Sequence, residues 1–300
     1  MADFDQAGRY LIRRAPAGFF AWLAPRFLAD WDFRGWIDTS TLTFPGEPDR
    51  ICDTVGEFVH RSDRARRCLL DVEIQSRPHV DMLERQGEYA YRLRREQRYG
   101  RGRRGKYQVI AVLLNLTGAV QPHVLDMTEP ALNDAGLRLE VVQRTLREED
   151  SAATLARIAT GELQRCVLPW VVLMRDAGRS AMIQEWKRLA LREPDERWRR
   201  EYGALALVFS DLTRHALVWN RALGGWQMER SRHVMEWEAR ARRKDLLRVL
   251  QLRFHDVPAE INAAIAEQKG PDELSRLLDL AVTTSCLLYT SPSPRDRQKS

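Results

Sequence analysis

The 300-residue sequence predicts an α/β protein: a core sheet flanked by helices over residues 1–135, followed by a mostly α-helical half over 136–285. Three observations carry this. From Cys68 to Gln75 the chain alternates, Leu70, Val72 and Ile74 against Asp71, Glu73 and Gln75, which is the period of a strand. Tyr107 to Asn115 (YQVIAVLLN) is almost continuously apolar, as expected of a strand buried on both faces. Beyond about Leu137, apolar residues recur at three and four nearly throughout.

The elements follow in order. Tyr10, Leu11, Phe19, Phe20, Leu23 and Phe27 recur at helical intervals, so Asp3 to Leu28 reads as one or two helices. Trp31 to Thr43 is turn-like, then β-rich, and Pro45-Gly46-Glu47-Pro48 is a turn. Ile51 to His60 and Cys68 to Gln75 read as two strands of a hairpin, joined by the polar segment Arg61 to Arg67. Pro78 ends the second strand, and a helix runs from Val80 to about Gln97 with Met82, Leu83, Tyr89 and Leu93 as its apolar stripe. A basic glycine loop, Gly100 to Gly105, leads into the strand 107–115. Helices are expected over 150–166, 179–192, 195–215, 229–252, 258–268 and 271–282, punctuated by Pro194, Gly224-Gly225 and Pro258.

Residues 286–300 (CLLYTSPSPRDRQKS) break abruptly from helical pattern into Ser-Pro repeats and mixed charges. The string resembles translated sequencing adapter found at the ends of unrelated metagenome-derived chains. A disordered Ser/Pro tail is the alternative, and neither reading gives the segment a place in the fold. Resequencing the gene from source DNA is expected to lack these codons; finding them there overturns the adapter reading.

With 48 basic and 42 acidic residues the formal charge is +6, and the pI of about 9.3 permits a polyanionic partner without requiring one. Cys52, Cys68, Cys166 and Cys286 form no C-x-x-C pair, so the sequence supports neither a disulfide scaffold nor a zinc cluster. The six histidines are scattered without H-x-x-x-H spacing. No phosphate loop, dinucleotide fingerprint or G-x-S-x-G elbow is present. Arg13-Arg14 before the apolar run Ala15 to Pro25 imitates a secretory signal. The acidic leader, the two prolines and the missing A-x-A site argue against one. No stretch reaches the eighteen or so apolar residues of a membrane span. A cytoplasmic protein with no membrane partner is expected.

The residues with chemistry sit on the alternating strand. Glu73 and Gln75, at i and i+2, share one face, and a hairpin partner of suitable register brings Asp53 opposite them. The carboxylates of Asp53 and Glu73, with the carbonyl of Ile74, form part of an octahedral oxygen shell suited to Mg²⁺ or Mn²⁺. A phosphodiester oxygen and a nucleophilic water would complete it. Pattern alone leaves a half-solvated structural strand equally open. Asp71 on the Glu73 face and Glu57 on the Asp53 face read first as solvated strand residues.

The stretches ICDTVGEF and DVEIQSRP, the helix with Arg85 and Tyr89, and KYQVIAVLLNLTG together resemble the PD-(D/E)XK (restriction-endonuclease-like) nuclease superfamily. More narrowly they are similar to the recombination-promoting nuclease family, which also carries a transposase label. The segment LLRVLQLRFHDVPAEINAAIAEQKGPDELSRLLDLAV is similar to that family's helical end, so the likeness spans residues 3–284. It implies Asp53, Glu73 and Gln75 as catalytic residues, with Gln75 at the place usually held by lysine. Gln75 hydrogen-bonds but brings no positive charge; Arg77 and Arg85 are the candidates to replace it.

From Arg92 to Lys106 eight basic residues face one acidic one, Glu96. Beside a metal site this loop suits backbone phosphates, so Arg101, Arg103, Arg104 and Lys106, with Arg77, Arg85 and Tyr89, are candidate nucleic-acid contacts. A solvated surface loop is the plainer alternative. The arginines of 240–248 and the scattered tryptophans read as salt-bridged surface and interhelical packing.

The expected function is metal-dependent endonucleolytic hydrolysis of DNA, associated with recombination or transposition. The helical half would pack on the core, hold substrate or mediate homodimerisation. Two rivals stand beside it. One is a non-catalytic nucleic-acid-binding or interaction protein on a degenerate nuclease scaffold, kept alive by Gln75. The other is a helical scaffold protein with an incidental sheet.

Overall fold

A computed structural model describes residues 2–38, 54–76, 79–99, 107–118, 122–224, 226, 232–254, 257–268 and 270–283. Asp53, Arg77, the loop residues 100–106 and the tail 286–300 lie outside them. The chain order is α1 (Ala2–Arg14), α2 (Pro16–Leu23), α3 (Pro25–Asp30), β1 (Trp31–Trp36), β2 (Thr54–His60), β3 (Arg67–Gln75), α4 (Met82–Tyr99) and β4 (Tyr107–Asn115). Then come β5 (Val124–Glu129), β6 (Ala135–Glu140), β7 (Val142–Thr145), α5 (Ser151–Ala159), α6 (Leu168–Val171), α7 (Ser180–Leu191), α8 (Glu196–Ser210) and α9 (Ala216–Leu223). Last are α10 (Arg232–Phe254), α11 (Ala259–Glu267) and α12 (Pro271–Thr283). The protein is mixed α/β. Contacts divide it into one compact unit of residues 7–224 and a second of residues 1–6 with 225–300.

In the first unit a five-stranded sheet has the order β1-β2-β3-β4-β7. β1/β2 and β2/β3 are antiparallel, β3/β4 and β4/β7 parallel. Parallel neighbours need a crossover, and α4 supplies it between β3 and β4. β3 is therefore central, and from Cys68 to Gln75 every residue is buried. Its two faces differ. On one, Gly8 of α1 sits so close to Ile74 that a Cβ there would lie 2.7 Å from Ile74 Cδ1, and Phe20 of α2 meets Phe58 edge-on at 4.9 Å. On the other, Tyr89 and Leu93 of α4 pack with Val55, Leu69 and Tyr107, while Met82 packs with Ala111, Leu113 and Val141.

The sheet does not end at residue 135. β6 and β7 occupy a stretch expected to be helical, and β7 forms the sheet's outer strand on β4. Leu137 and Leu139 alternate with Arg138 and Glu140, a period of two that six residues of pairing with β5 turn into a hairpin. The helix expected over 150–166 stops at Ala159, where Thr160 and Gly161 (φ +81°) close it in a left-handed turn. The one expected over 195–215 breaks after Ser210. There the hydroxyl of Thr213 donates to Ser210 O (2.8 Å) and accepts from His215 N (3.0 Å), displacing the helical ladder. The helices 80–97, 179–192, 229–252, 258–268 and 271–282 form within a few residues of expectation. In the second unit Leu246 and Leu250 of α10 pack with Ile265 of α11 and with Leu274 and Leu277 of α12. Among the described residues no helix is long and apolar enough to cross a membrane.

Burial pushes the thiols of Cys68 and Cys166 up from an ordinary 9.0 to about 12. Above pH 9 the unfolded chain loses these protons while the folded one keeps them. Stability is then present below about pH 9 and falls as pH rises toward 12. The urea midpoint should drop between about pH 8.5 and 10, below tyrosine ionisation, and the slope should flatten in a Cys68→Ala/Cys166→Ala protein. Equal slopes in the two proteins overturn the assignment.

Candidate active site

Directly paired residues on neighbouring strands share a face. Val55 pairs with Asp71, which pairs with Ala111; Glu73 pairs with Leu113; Gln75 pairs with Asn115. The polar side chains of β3 therefore point to the α4 side, opposite Leu70, Val72 and Ile74, as the alternation predicts. They are not solvated. Asp71 is 0% exposed, Glu73 2% and Gln75 3%, which overturns the reading of this face as a wet structural surface. The reason is α4, whose sheet-facing stripe is Met82, Gln86, Tyr89 and Leu93 at i, i+4, i+7 and i+11.

That stripe includes a residue that sequence reasoning passed over. Gln86 falls where an apolar side chain is expected and is fully buried. Neither amide atom of Gln75 nor of Gln86 has a hydrogen-bond partner among the described residues. A buried amide left unsatisfied costs about 1–3 kcal/mol, so a polar partner at Gln75 or Gln86 would be stabilising. Asn115 and Thr145 continue the row from Gln75 across the carboxyl ends of the parallel strands, and both are buried. Ligands of open α/β sheets gather at such ends. The signals in the sequence were an asparagine closing an apolar run and a glutamine on an apolar stripe.

The other expectations separate. Glu57 is no solvated residue: it accepts from Arg67 Nη1 (2.8 Å) and Tyr107 Oη (2.5 Å) at the opposite end of the strands. Burial, then the bond to Glu57, raises the Tyr107 hydroxyl pKa. Tyr89 is 0% exposed, its ring in the core and its hydroxyl accepting from Arg85 Nη2 at 3.3 Å. That makes it a residue that holds Arg85 rather than a surface contact for phosphate. Arg85 is half-buried, its guanidinium 5.9 Å from the Tyr89 ring centre. Asp53, Arg77, Arg101, Arg103, Arg104 and Lys106 lie outside the described residues; the β2–β3 ladder is described as far as Thr54 opposite Val72.

No family model, no curated protein and no solved structure matches this chain. The site stands on its own geometry.

Among the described residues no three His, Cys, Asp or Glu side chains gather closely enough to hold a metal ion. The donors present on this face are carboxylates and amides (Asp71, Glu73, Gln75, Gln86, Asn115). This is a hard oxygen set that fits Mg²⁺ or Mn²⁺ and lacks the sulfur and imidazole typical of zinc.

Proposed function

We propose that the protein is a metal-dependent nuclease of PD-(D/E)XK type acting on DNA, with Asp53 and Glu73 and the Ile74 carbonyl as metal ligands. The observation that carries the reading is the buried polar face of β3. Two acids and two amides lie under a helix whose stripe would otherwise be apolar, at the carboxyl end of parallel strands. A bound Mg²⁺ or Mn²⁺ would supply Lewis-acid polarisation and a water acidic enough to attack phosphorus. The chain's own part is orientation. Ile74, packed under Gly8, fixes the strand so that Glu73 and Gln75 keep one direction. The Gln75 amide donates a hydrogen bond to the attacked phosphate or the water, without the charge of a lysine. The reading requires the β2–β3 pairing to continue one residue past Thr54, so that positions 53 and 73 come opposite.

The test is purified protein on plasmid DNA with Mg²⁺ or Mn²⁺. Wild type should cut, EDTA should stop it, and Asp53→Ala should reduce cutting by about two orders of magnitude or more. Metal-independent cutting, or an Asp53→Ala protein as fast as wild type, ends the assignment. A cytoplasmic location and a role in DNA recombination belong to the same proposal.

A further inference from the structure

A cleft of about 550 Å³ opens beside the carboxyl end of β4. One wall is Leu116–Gly118, and the wall is tied to the proposed site: Leu116 N donates to Gln75 O (2.9 Å) and Thr117 Oγ1 to Ser76 O (2.5 Å). The rest comes from segments after β7, α6 and α8, which bring Arg147, Arg175, Arg214 and His215 to the same space. Among the described residues the only acid lining it, Asp176, is already held by Arg179 at 3.0 Å. Arg175 reaches Asp150 at 3.3 Å, but Arg147 and Arg214 are exposed and form no ion pair among the described residues.

Two features make this a shaped surface rather than scattered charge. His215 rests on the backbone of Gly178, where an added Cβ would lie 2.4 Å from the ring. His215 is also the N-cap residue of α9 with no side-chain capping bond. Val218 N and Trp219 N both donate to His215 O at 3.0 Å, which leaves the N–H groups of Ala216 and Leu217 without intrahelical partners next to the cleft residue His215. Guanidinium groups and a helix amino end together favour anions.

The geometry points to this cleft as the seat for backbone phosphates of the nucleic acid flanking the bond to be cut. The inference rests on the nuclease reading above and names where that substrate's strand runs. From Glu73 to Ser76 is about 10 Å at the rise of a strand, or roughly three nucleotide rises at 3.4 Å each along one nucleic-acid strand. A strand leaving Glu73 over Thr117 thus enters the cleft within a few phosphates. Arg147 and Arg214 are the contacts that carry affinity, because among the described residues neither has an ion pair to give up on binding. Phosphate contacts of this kind position the chain without reading its sequence.

The experiment is fluorescence anisotropy of a labelled DNA oligonucleotide in EDTA, where nothing is cut, across a salt series. Arg147→Ala/Arg214→Ala should weaken binding about tenfold or more and lower the salt slope by about one to two. Arg147→Lys/Arg214→Lys should restore most of both. Thermal melting checks that the exposed substitutions leave the fold intact. Affinity and slope equal to wild type in the alanine protein, or competition by inorganic phosphate alone as strong as by DNA, overturns the cleft assignment. Cleft-dependent binding without any cutting in Mg²⁺ or Mn²⁺ supports the cleft while removing the nuclease.

Discussion

Glu73→Gln is expected to lower Mg²⁺-dependent cutting of DNA by about three orders of magnitude while leaving the fold in place. The substitution keeps the volume of a side chain that is 2% exposed, so it opens no cavity and the thermal midpoint should move little. It removes the charge that would face the metal. Several kcal/mol of charge stabilisation at about 1.36 kcal/mol per tenfold gives the size of the effect. Calorimetry with Mg²⁺ should show heat for wild type and none for the variant. The companion change, Gln75→Lys, should raise the rate. It brings a cation to the face shared with Asp71 and Glu73, where a lysine's charge has acidic neighbours at two and four residues' distance. A Glu73→Gln protein with unaltered rate and metal heat would leave a buried polar cluster with a structural role only. A wild type that binds DNA without metal heat or cutting would favour the degenerate scaffold.

What the sequence disclosed, and what it withheld, follows from the range of the interactions. The strand 67–75 was legible because alternation is local, and β4 because a run such as YQVIAVLLN suits a strand covered on both sides. Which face of β3 carries Asp71, Glu73 and Gln75 was legible for the same reason. Their burial was not, since it comes from α4 lying over them, a tertiary fact with no local signature. Gln86 shows this most directly. On a helical wheel it interrupts an apolar stripe, and only the sheet beneath it turns that interruption into a candidate site residue. β7 was missed because its four residues pair with β4 across an interval of thirty positions, from Val112 to Val142. The Arg147–Arg214 cleft was invisible for a related reason, as its arginines come from three separate connections that the fold alone brings together.

Trp170→Ala should cost about 3–5 kcal/mol of stability, a large part of the 5–15 kcal/mol that folded domains hold in total. Trp170 is 1% exposed and sits at the meeting point of the first unit's early and late segments. It stacks on Phe209 of α8 at 4.8 Å and on Trp22 of α2 at 6.0 Å, and Phe19 approaches at 6.1 Å. It also lies against α1, 3.2 Å from where a Cβ of Gly8 would be, and Gly8 is the residue packed on Ile74. Removing the indole therefore loosens the layer that fixes the strand between Glu73 and Gln75. Urea unfolding should show a lowered midpoint with an unchanged slope. DNA cutting, measured well below that midpoint, should fall less than tenfold, because the acids themselves remain. A cost below about 1 kcal/mol would mean that residues beyond 135 share no core with the sheet. A large cost with activity retained per folded molecule would mean that the late helices hold α1 and α2 on β3 for stability, without contributing to the chemistry.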